Sequence, residues 1–353
     1  MIKVLLIQNI IARYNLPIYN LLSNEPGISL TVAHYGKKED SKKGFEEIVL
    51  QNKQKGPFQF SVENIREIAD NYDVVICMGD IRWLSLMGLG RGKRKYKLIY
   101  WGIGVSASYK NKFDENKRWD FLRYYFMRKA DALVFYSNYP VEKYAQKGFS
   151  KESLFVAHNT VAVNPTIKDT PTKDSILFVG TLYKEKGISE LLEAYQEAFN
   201  KSTNLPILNI IGGGDELENI SNWVKENRLE NQIKLLGPIY DNTVLESYFM
   251  RAFACISPSQ AGLSVLTSMA YGVPFITRHD AITGGERLNI DNNKTGILYR
   301  EYQDLVQILS DIKDNGKKYI TMGESAKEFY YNNRTPEHMV AGFVDAINYV
   351  KSK

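Results

Sequence analysis

Short apolar runs alternate with longer mixed stretches along most of the chain. "KVLLIQ", "SLTVAHY", "DVVICMG", "KLIYWG", "ALVFYS" and "SLFVAHN" are rich in Val, Ile, Leu and Phe, as strands buried on both faces are. Between them Leu16 to Leu22, Val62 to Asn71, Lys117 to Lys129 and Val141 to Lys147 carry helical spacing. The pattern predicts a doubly wound α/β domain over residues 1–165. In "TVAVNPTIKDTPTKDS", residues 160–175, it lapses into Thr, Pro, Asp and Lys, the composition of a linker. It then restarts with "SILFVG", "ILNIIG", "IKLLG", "FACISP", "PFIT" and "TGILY", separated by helices at Ile188 to Asn200, Leu217 to Asn227, Thr243 to Met250 and Leu263 to Tyr271. A second Rossmann-like domain over 166–334 follows from this, and an amphipathic helix capped by Thr335, with Pro336 in its first turn, fills 335–353. Two such domains in tandem place a ligand cleft at the carboxyl ends of their strands.

Composition narrows the class. Of 353 residues, 44% are hydrophobic and 24% charged, which fits a globular protein and excludes a disordered or fibrous one. No apolar stretch reaches membrane-spanning length, and "MIKVLLIQNI" lacks a signal-peptide cleavage site, so a cytoplasmic protein is expected. Cys77 and Cys255 each sit inside an apolar run, as free buried thiols do, which leaves no disulfide framework or zinc site.

Charge separates the halves. Residues 1–165 carry 25 Lys and Arg against 16 Asp and Glu, whereas 166–353 carry 20 against 24. Residues 91–129 alone hold 12 basic and 3 acidic side chains, interleaved with Trp119, Phe121, Tyr125 and other aromatics. Such a segment suits peripheral contact with an anionic membrane surface; a solvated helix with its aromatics in the core, or nucleic-acid binding, are the alternatives, of which nucleic acid is set aside.

Four loops after second-half strands could hold a ligand. "FVGTLYKEKGISELLEAY" places Gly180 and Thr181 at a strand end and Lys184 and Lys186 before a helix, where lysine and amides can hold a phosphate. A solvated lysine in a turn fits the same spacing. "IIGGGDE" puts Gly212 and Gly213 at a strand end, free for close approach to a ligand or for a plain tight turn. "SPSQAGLSVLTSMAYGVPFIT" gathers Ser259, Gln260, Ser264 and Thr267 around the start of a buried helix, although small polar residues there are commonly caps. "TGGERLNI" brings Glu286 before another helix-sized step.

Taken in order, "FVGTLYKEKGISELLEAY", "NIIGGGDE", "IKLLGPI", "ISPSQAGLSVLTSMAYGVPFIT" and "GGERLNIDNNKTGILY" resemble the C-terminal half of the GT-B-fold glycosyltransferases, most closely the GT4-type retaining family. "QNIIARYNLPIYNLL", "YWGIGVSA" and the segment from "RKADALVFYS" onward look like the N-terminal domain of members that build bacterial surface polysaccharides such as capsule and O-antigen. The resemblance implies a transferase taking a sugar from a UDP- or GDP-linked donor to a saccharide or lipid-linked acceptor, with no further cofactor. It implies that Lys186 contacts the diphosphate, Pro238 and Ile239 after Gly237 the base, and Ser259, Gln260, Ala261, Gly262, Leu263 and Ser264 the phosphate and sugar. Gly180, Thr181, Gly212 and Gly213 would line the nucleotide loops, Thr267 would face the ribose, Glu286 the sugar end, and the helix from Thr335 would cross back to brace the N-terminal domain. Lys186 and Glu286 are the catalytic candidates; Asn9, Arg13, Tyr14, Trp101, Gly102 and Gly104 are the acceptor-side ones, with loop and core packing as their other reading.

The departures are specific. Where the family has two glutamates eight positions apart, this chain has Ser259 and Thr267; Thr181 stands in place of an Arg and Ile103 in place of a His. No D-x-D pair occurs, so the resemblance implies metal-independent transfer with retention by front-face attack. A catalytically silent subunit on the same fold stays open. A nucleotide-sugar epimerase would need clustered carboxylates and histidines that these loops lack.

Overall fold

The computed structural model describes residues 1–38, 43–109, 112–167, 171–202 and 204–353, so 110–111 of the basic segment and 168–170 of the linker lie outside the described residues. Its contacts divide the chain into two compact units. One comprises Met1–Ser106, Asp114–Ala162 and Arg334–Lys353; the other comprises Ala107–Phe113 and Val163–Asn333. A hairpin from the first half thus belongs with the second unit, an exception to the boundary expected at 165, while the C-terminal helix belongs with the first.

The first unit is built on a parallel sheet of β1 (Ile2–Gln8), β2 (Ile28–His34), β3 (Glu46–Val49), β4 (Val74–Met78), β5 (Lys97–Gly102), β6 (Ala132–Phe135) and β7 (Leu154–Val156), in the order 7-6-5-4-1-2-3. Alternate residues feed opposite faces, as strand geometry demands. Val4, Leu6, Val74, Ile76, Ile99 and Trp101 join one core, and Leu5, Ile7, Val75, Cys77, Leu98 and Tyr100 the other. The C-terminal helix, Pro336–Lys351, covers the first face with Met339, Val340, Phe343, Ile347 and Val350. Fully burying such a side chain is worth about 1.5–3 kcal/mol. Thr335 and His338 close its capping box, so the proline and cap in the sequence mark its start.

The second unit repeats the plan with β8 (Ser175–Val179), β9 (Ile207–Ile211), β10 (Ile233–Gly237), β11 (Ala252–Ile256), β12 (Phe275–Arg278) and β13 (Gly296–Tyr299), in the order 10-9-8-11-12-13 and all parallel. Helices Ile188–Lys201, Leu217–Glu226, Asn242–Arg251 and Ser264–Ala270 lie within two residues of the expected limits. Others differ. The stretch at Lys117–Lys129 is helical only over Asp120–Met127, that at Val62–Asn71 only over Ile65–Ala69, and the step after Gly285 is a single 3-10 turn, Glu286–Asn289. Two helices absent from the expectation, Tyr302–Asp314 and Gly316–Asn333, complete the unit.

Candidate functional site

In the second unit the carboxyl ends of neighbouring strands bring three loops together. Gly180 follows β8, and Gly212 follows β9; the Gly180 amide donates to the Ile211 carbonyl at 3.0 Å and the Gly212 amide to the Gly237 carbonyl at 2.9 Å. A Cβ on Gly212 would collide with the Gly180 carbonyl, and one on Gly214 with that of Leu182. Glycine is required here because the strand ends touch backbone to backbone. Pro238 lies beside Gly213 on the next loop and is exposed, and Ile239 is half-buried.

The first loop then turns back through a 3-10 turn, Lys184–Lys186, to Gly187, whose φ of +71° is the left-handed conformation that starts the Ile188–Lys201 helix. Ser259 packs so close to Gly187 that a side chain there would overlap its hydroxyl, and the Ser259 amide donates to the Lys186 carbonyl at 3.3 Å. Lys186 and the turn at Ser259 are thus one structure. Gln260 and Ala261 continue as a two-residue strand parallel to Ile282–Thr283.

Lys186 is 8% exposed, and among the described residues it has neither a carboxylate within ion-pair distance nor a hydrogen bond from its ammonium. Burial alone pushes its pKa down. Its Nζ lies over the Tyr183 ring, 5.7 Å from the centroid, and a Cβ on Gly180 would stand 3.1 Å from it. A buried cation without a counter-ion is costly, and an anion from outside would relieve that cost. Lys184 of the same turn is exposed to solvent, whereas Arg278 donates to Glu190 at 2.8 Å and Arg287 to the His279 carbonyl.

Glu286 is buried and accepts from Thr283 Oγ1 at 3.0 Å and the Gly284 amide at 2.8 Å. It braces its own loop, which pairs with the Gln260 strand. Thr267 gives its hydroxyl proton to the Leu263 carbonyl at 3.2 Å, one turn earlier in the helix. Ser264, Leu263 and Gly262 are half-buried at that helix start, Ala261 is buried, and Thr181 is exposed.

The residues expected on the acceptor side belong to the first unit. Asn9, Arg13 and Tyr14 are exposed after β1, and Asn9 Oδ1 accepts from the Ile10 amide at 2.9 Å. Trp101 is a core residue: its ring meets Phe343 edge-on at 4.8 Å and Tyr136 at 5.4 Å, and its indole Nε1 is buried with no hydrogen-bond partner among the described residues. Gly102 ends β5. Gly104, at φ +76°, has no room for a side chain beside Phe135, and its carbonyl accepts from Tyr144 at 2.9 Å. Sequence reasoning missed Tyr183 and Tyr109, whose hydroxyls share a hydrogen bond across 74 positions. No local pattern marks such a pair.

Residues 165–329 match the family model of the glycosyl transferases, group 1. Alpha-monoglucosyldiacylglycerol synthase of Acholeplasma laidlawii is 25% identical over 154 residues, 43% of this chain and 37% of that protein, so the match spans well under half of the relative's own length. In fold the chain is similar to S. aureus TarM, solved with UDP, fondaparinux and alpha-GlcNAc-glycerol, at a TM-score of 0.73 and 11% identity over 99% of this chain and 100% of that one. It is likewise similar to Anabaena HepE in complex with UDP-glucose, at a TM-score of 0.71 and 14% identity over 99% and 100%.

Proposed function

We propose that this protein, whose residues 165–329 match the model of the glycosyl transferases, group 1, and whose fold is the GT-B fold, moves a sugar from a nucleotide-sugar donor to a saccharide acceptor, lipid-linked and destined for a bacterial surface polysaccharide. The observation that carries the reading is the buried side chain of Lys186 without a counter-ion, where the loops after three neighbouring strands meet. A donor's diphosphate supplies the missing negative charge. TarM binding UDP and HepE binding UDP-glucose favour a UDP-linked donor, and the diacylglycerol product in the Acholeplasma relative's name favours a lipid-linked acceptor.

Transfer without a metal leaves Lys186 to stabilise the departing diphosphate, together with the amides of its loop. The bond from the sugar's anomeric carbon to the phosphate oxygen breaks and its electron pair goes to the diphosphate. The acceptor oxygen attacks on the same face, and the departing phosphate takes its proton, which retains configuration. Hydroxyls at Ser259 and Thr267 offer the donor uncharged contacts in place of carboxylates.

Calorimetric titration with UDP, GDP and their sugar conjugates, repeated on Lys186→Ala, tests the reading. Binding of one donor class that the substitution abolishes supports it. Absence of binding to all of them leaves a catalytically silent subunit as the reading.

Delivery of a lipid-linked acceptor calls for contact with a membrane surface. Among the described residues no helix is long and apolar enough to cross one. Trp119, Phe121 and Tyr125 are 47%, 69% and 49% exposed in and before the Asp120–Met127 helix, with Arg118 over the Trp119 ring and Lys129 over that of Tyr125. Aromatics rimmed by cations suit an anionic bilayer. Flotation with phosphatidylglycerol vesicles at low salt checks this; a protein that stays at the bottom of the gradient rules it out.

A further inference from the structure

The hairpin formed by Ala107–Ser108 and Lys112–Phe113 packs within the second unit against Ile282–Thr283, although the chain on either side of it belongs to the first. Two contacts hold it there. Lys112 Nζ lies 3.5 Å from Asp280 Oδ2, and the Tyr109 hydroxyl meets that of Tyr183, with the two rings edge to face at 5.6 Å. Lys112 and Asp114 hold φ of +49° and +59°, a conformation that side chains adopt only where surrounding contacts impose it.

Proton bookkeeping fixes the direction of the bonds. Gln260 Oε1 can only accept, so Tyr183 donates to it, at 3.0 Å. Tyr183 has one proton and has spent it, so the contact with Tyr109 uses the Tyr109 proton. Burial, together with the shared hydrogen bond to Tyr183, raises the Tyr109 pKa and keeps that proton in place. With its carbonyl oxygen pinned, the Gln260 amide turns its NH2 away, and among the described residues no acceptor engages that nitrogen. On the other side of Tyr183, its ring faces the Lys186 ammonium, which also has no counter-ion. Two unspent donors, one charged and one neutral, therefore flank a single tyrosine whose orientation Tyr109 sets.

We propose that Tyr109 is a positioning residue for the anion site: through Tyr183 it orients the Gln260 amide and the Lys186 ammonium toward one phosphate group. The inference rests on the donor-site reading above and adds to it an element from the first half of the chain. Consecutive hydrogen bonds polarise one another, so loss of the first weakens the second. Because the arrangement is preformed, its effect falls on binding. In an active enzyme, loss of the Tyr109 hydroxyl raises the KM for the donor and leaves kcat nearly unchanged.

The experiment is titration of the full chain with UDP and with inorganic pyrophosphate, for the wild type, Tyr109→Phe, Tyr183→Phe and the double variant. Tyr109→Phe keeps the ring contact and is expected to leave the unfolding midpoint unchanged while weakening both probes about three- to tenfold, the range of one neutral hydrogen bond. In the Tyr183→Phe background the second substitution is expected to add nothing, since the relay is already broken. A purely structural role would give additive losses and a lowered midpoint, and would overturn the proposal. So would wild-type affinity in Tyr109→Phe with UDP still bound, which leaves the donor-site reading intact. Pyrophosphate binding that follows this pattern in a protein that ignores UDP would support the relay and remove the UDP reading. A wild type that binds neither probe would overturn both.

Discussion

Two lysines, the half-buried Lys143 in the first unit and the buried Lys186 in the second, have opposite surroundings. Lys143 in the first unit lies 2.5 Å from Asp114 Oδ1 and 2.9 Å from Asp120 Oδ2. Burial pulls its pKa down, but the two carboxylates outweigh burial and raise it. Asp114 also accepts from Tyr139 at 2.7 Å and pairs with Lys117 at 2.8 Å, and these partners hold its own pKa low against burial. For Lys186 in the second unit burial prevails and lowers the pKa, opposed only by the nearby Cys255 thiol and by no carboxylate. The first lysine is neutralised from within and has a structural role; the second is left for something the chain does not supply. A depressed pKa is not enough to tell them apart. Lys173 is brought down to about 8 by burial, yet its Nζ donates to the Ala252 and Met250 carbonyls at 2.8 and 3.3 Å and so closes a helix end. What distinguishes Lys186 is the absence of any acceptor among the described residues.

Substitutions can break this contrast. Lys143→Met removes the cation shared by two buried carboxylates, of which Asp114 keeps Lys117 and Asp120 keeps Arg123, and is expected to destabilise the protein by about 1.5–3 kcal/mol in urea unfolding; a loss below about 0.5 kcal/mol would make the cluster no more than surface decoration. Lys186→Met is expected to reduce UDP affinity by about 2 kcal/mol or more, the worth of a charge-assisted bond, and to raise the unfolding temperature of the free protein by removing an uncompensated charge. A fall in that temperature would assign Lys186 a structural role like that of Lys143. Gly187→Ala, which forces a side chain into a left-handed φ and against Ser259, is expected to cost about 1–2 kcal/mol and to weaken UDP binding with it.

Titration of His158 sharpens the contrast from another direction. Burial, and then Arg334 and His338, bring its pKa from 6.5 to about 4 against a backbone hydrogen bond involving Tyr136. The unfolded chain therefore takes up a proton first, and stability present above pH 6.5 falls as pH drops toward 4. Unfolding curves of His158→Gln measured across that window should be flatter than those of the wild type by this one group. Smallest of all, Lys117→Ala removes an exposed partner of Asp114 and is expected to cost about 0.5 kcal/mol, within the range of surface pairs.

Both parallel sheets were legible because buried strands leave uninterrupted runs such as "DVVICMG" and "ILNIIG". The Tyr302–Asp314 helix had left a signal as well: Leu305, Val306, Leu309 and Ile312 are spaced for one face, and Glu301 and Asp304 form a capping box. Lys186 was legible as a candidate, but its lack of a partner was not, since that depends on where every carboxylate falls in space. The packing of Trp101 on Phe343 was not legible, because an aromatic at a strand end reads the same whether it faces a ligand or a helix. The hairpin at Ala107–Phe113 is short and polar, and nothing in "ASYKNKF" tells which sheet it will join.

That hairpin and the C-terminal helix have a consequence for how the chain can be taken apart or recombined. Each unit owns a piece of sequence embedded in, or trailing after, the other. A chimera spliced at the linker would import a second unit without Ala107–Phe113 and would replace the helix that lays Phe343 and Ile347 on the first unit's sheet. Exchange of specificity between relatives by swapping units therefore needs four junctions that travel together, and a library cut at one point would sample mostly proteins with one face of a core uncovered.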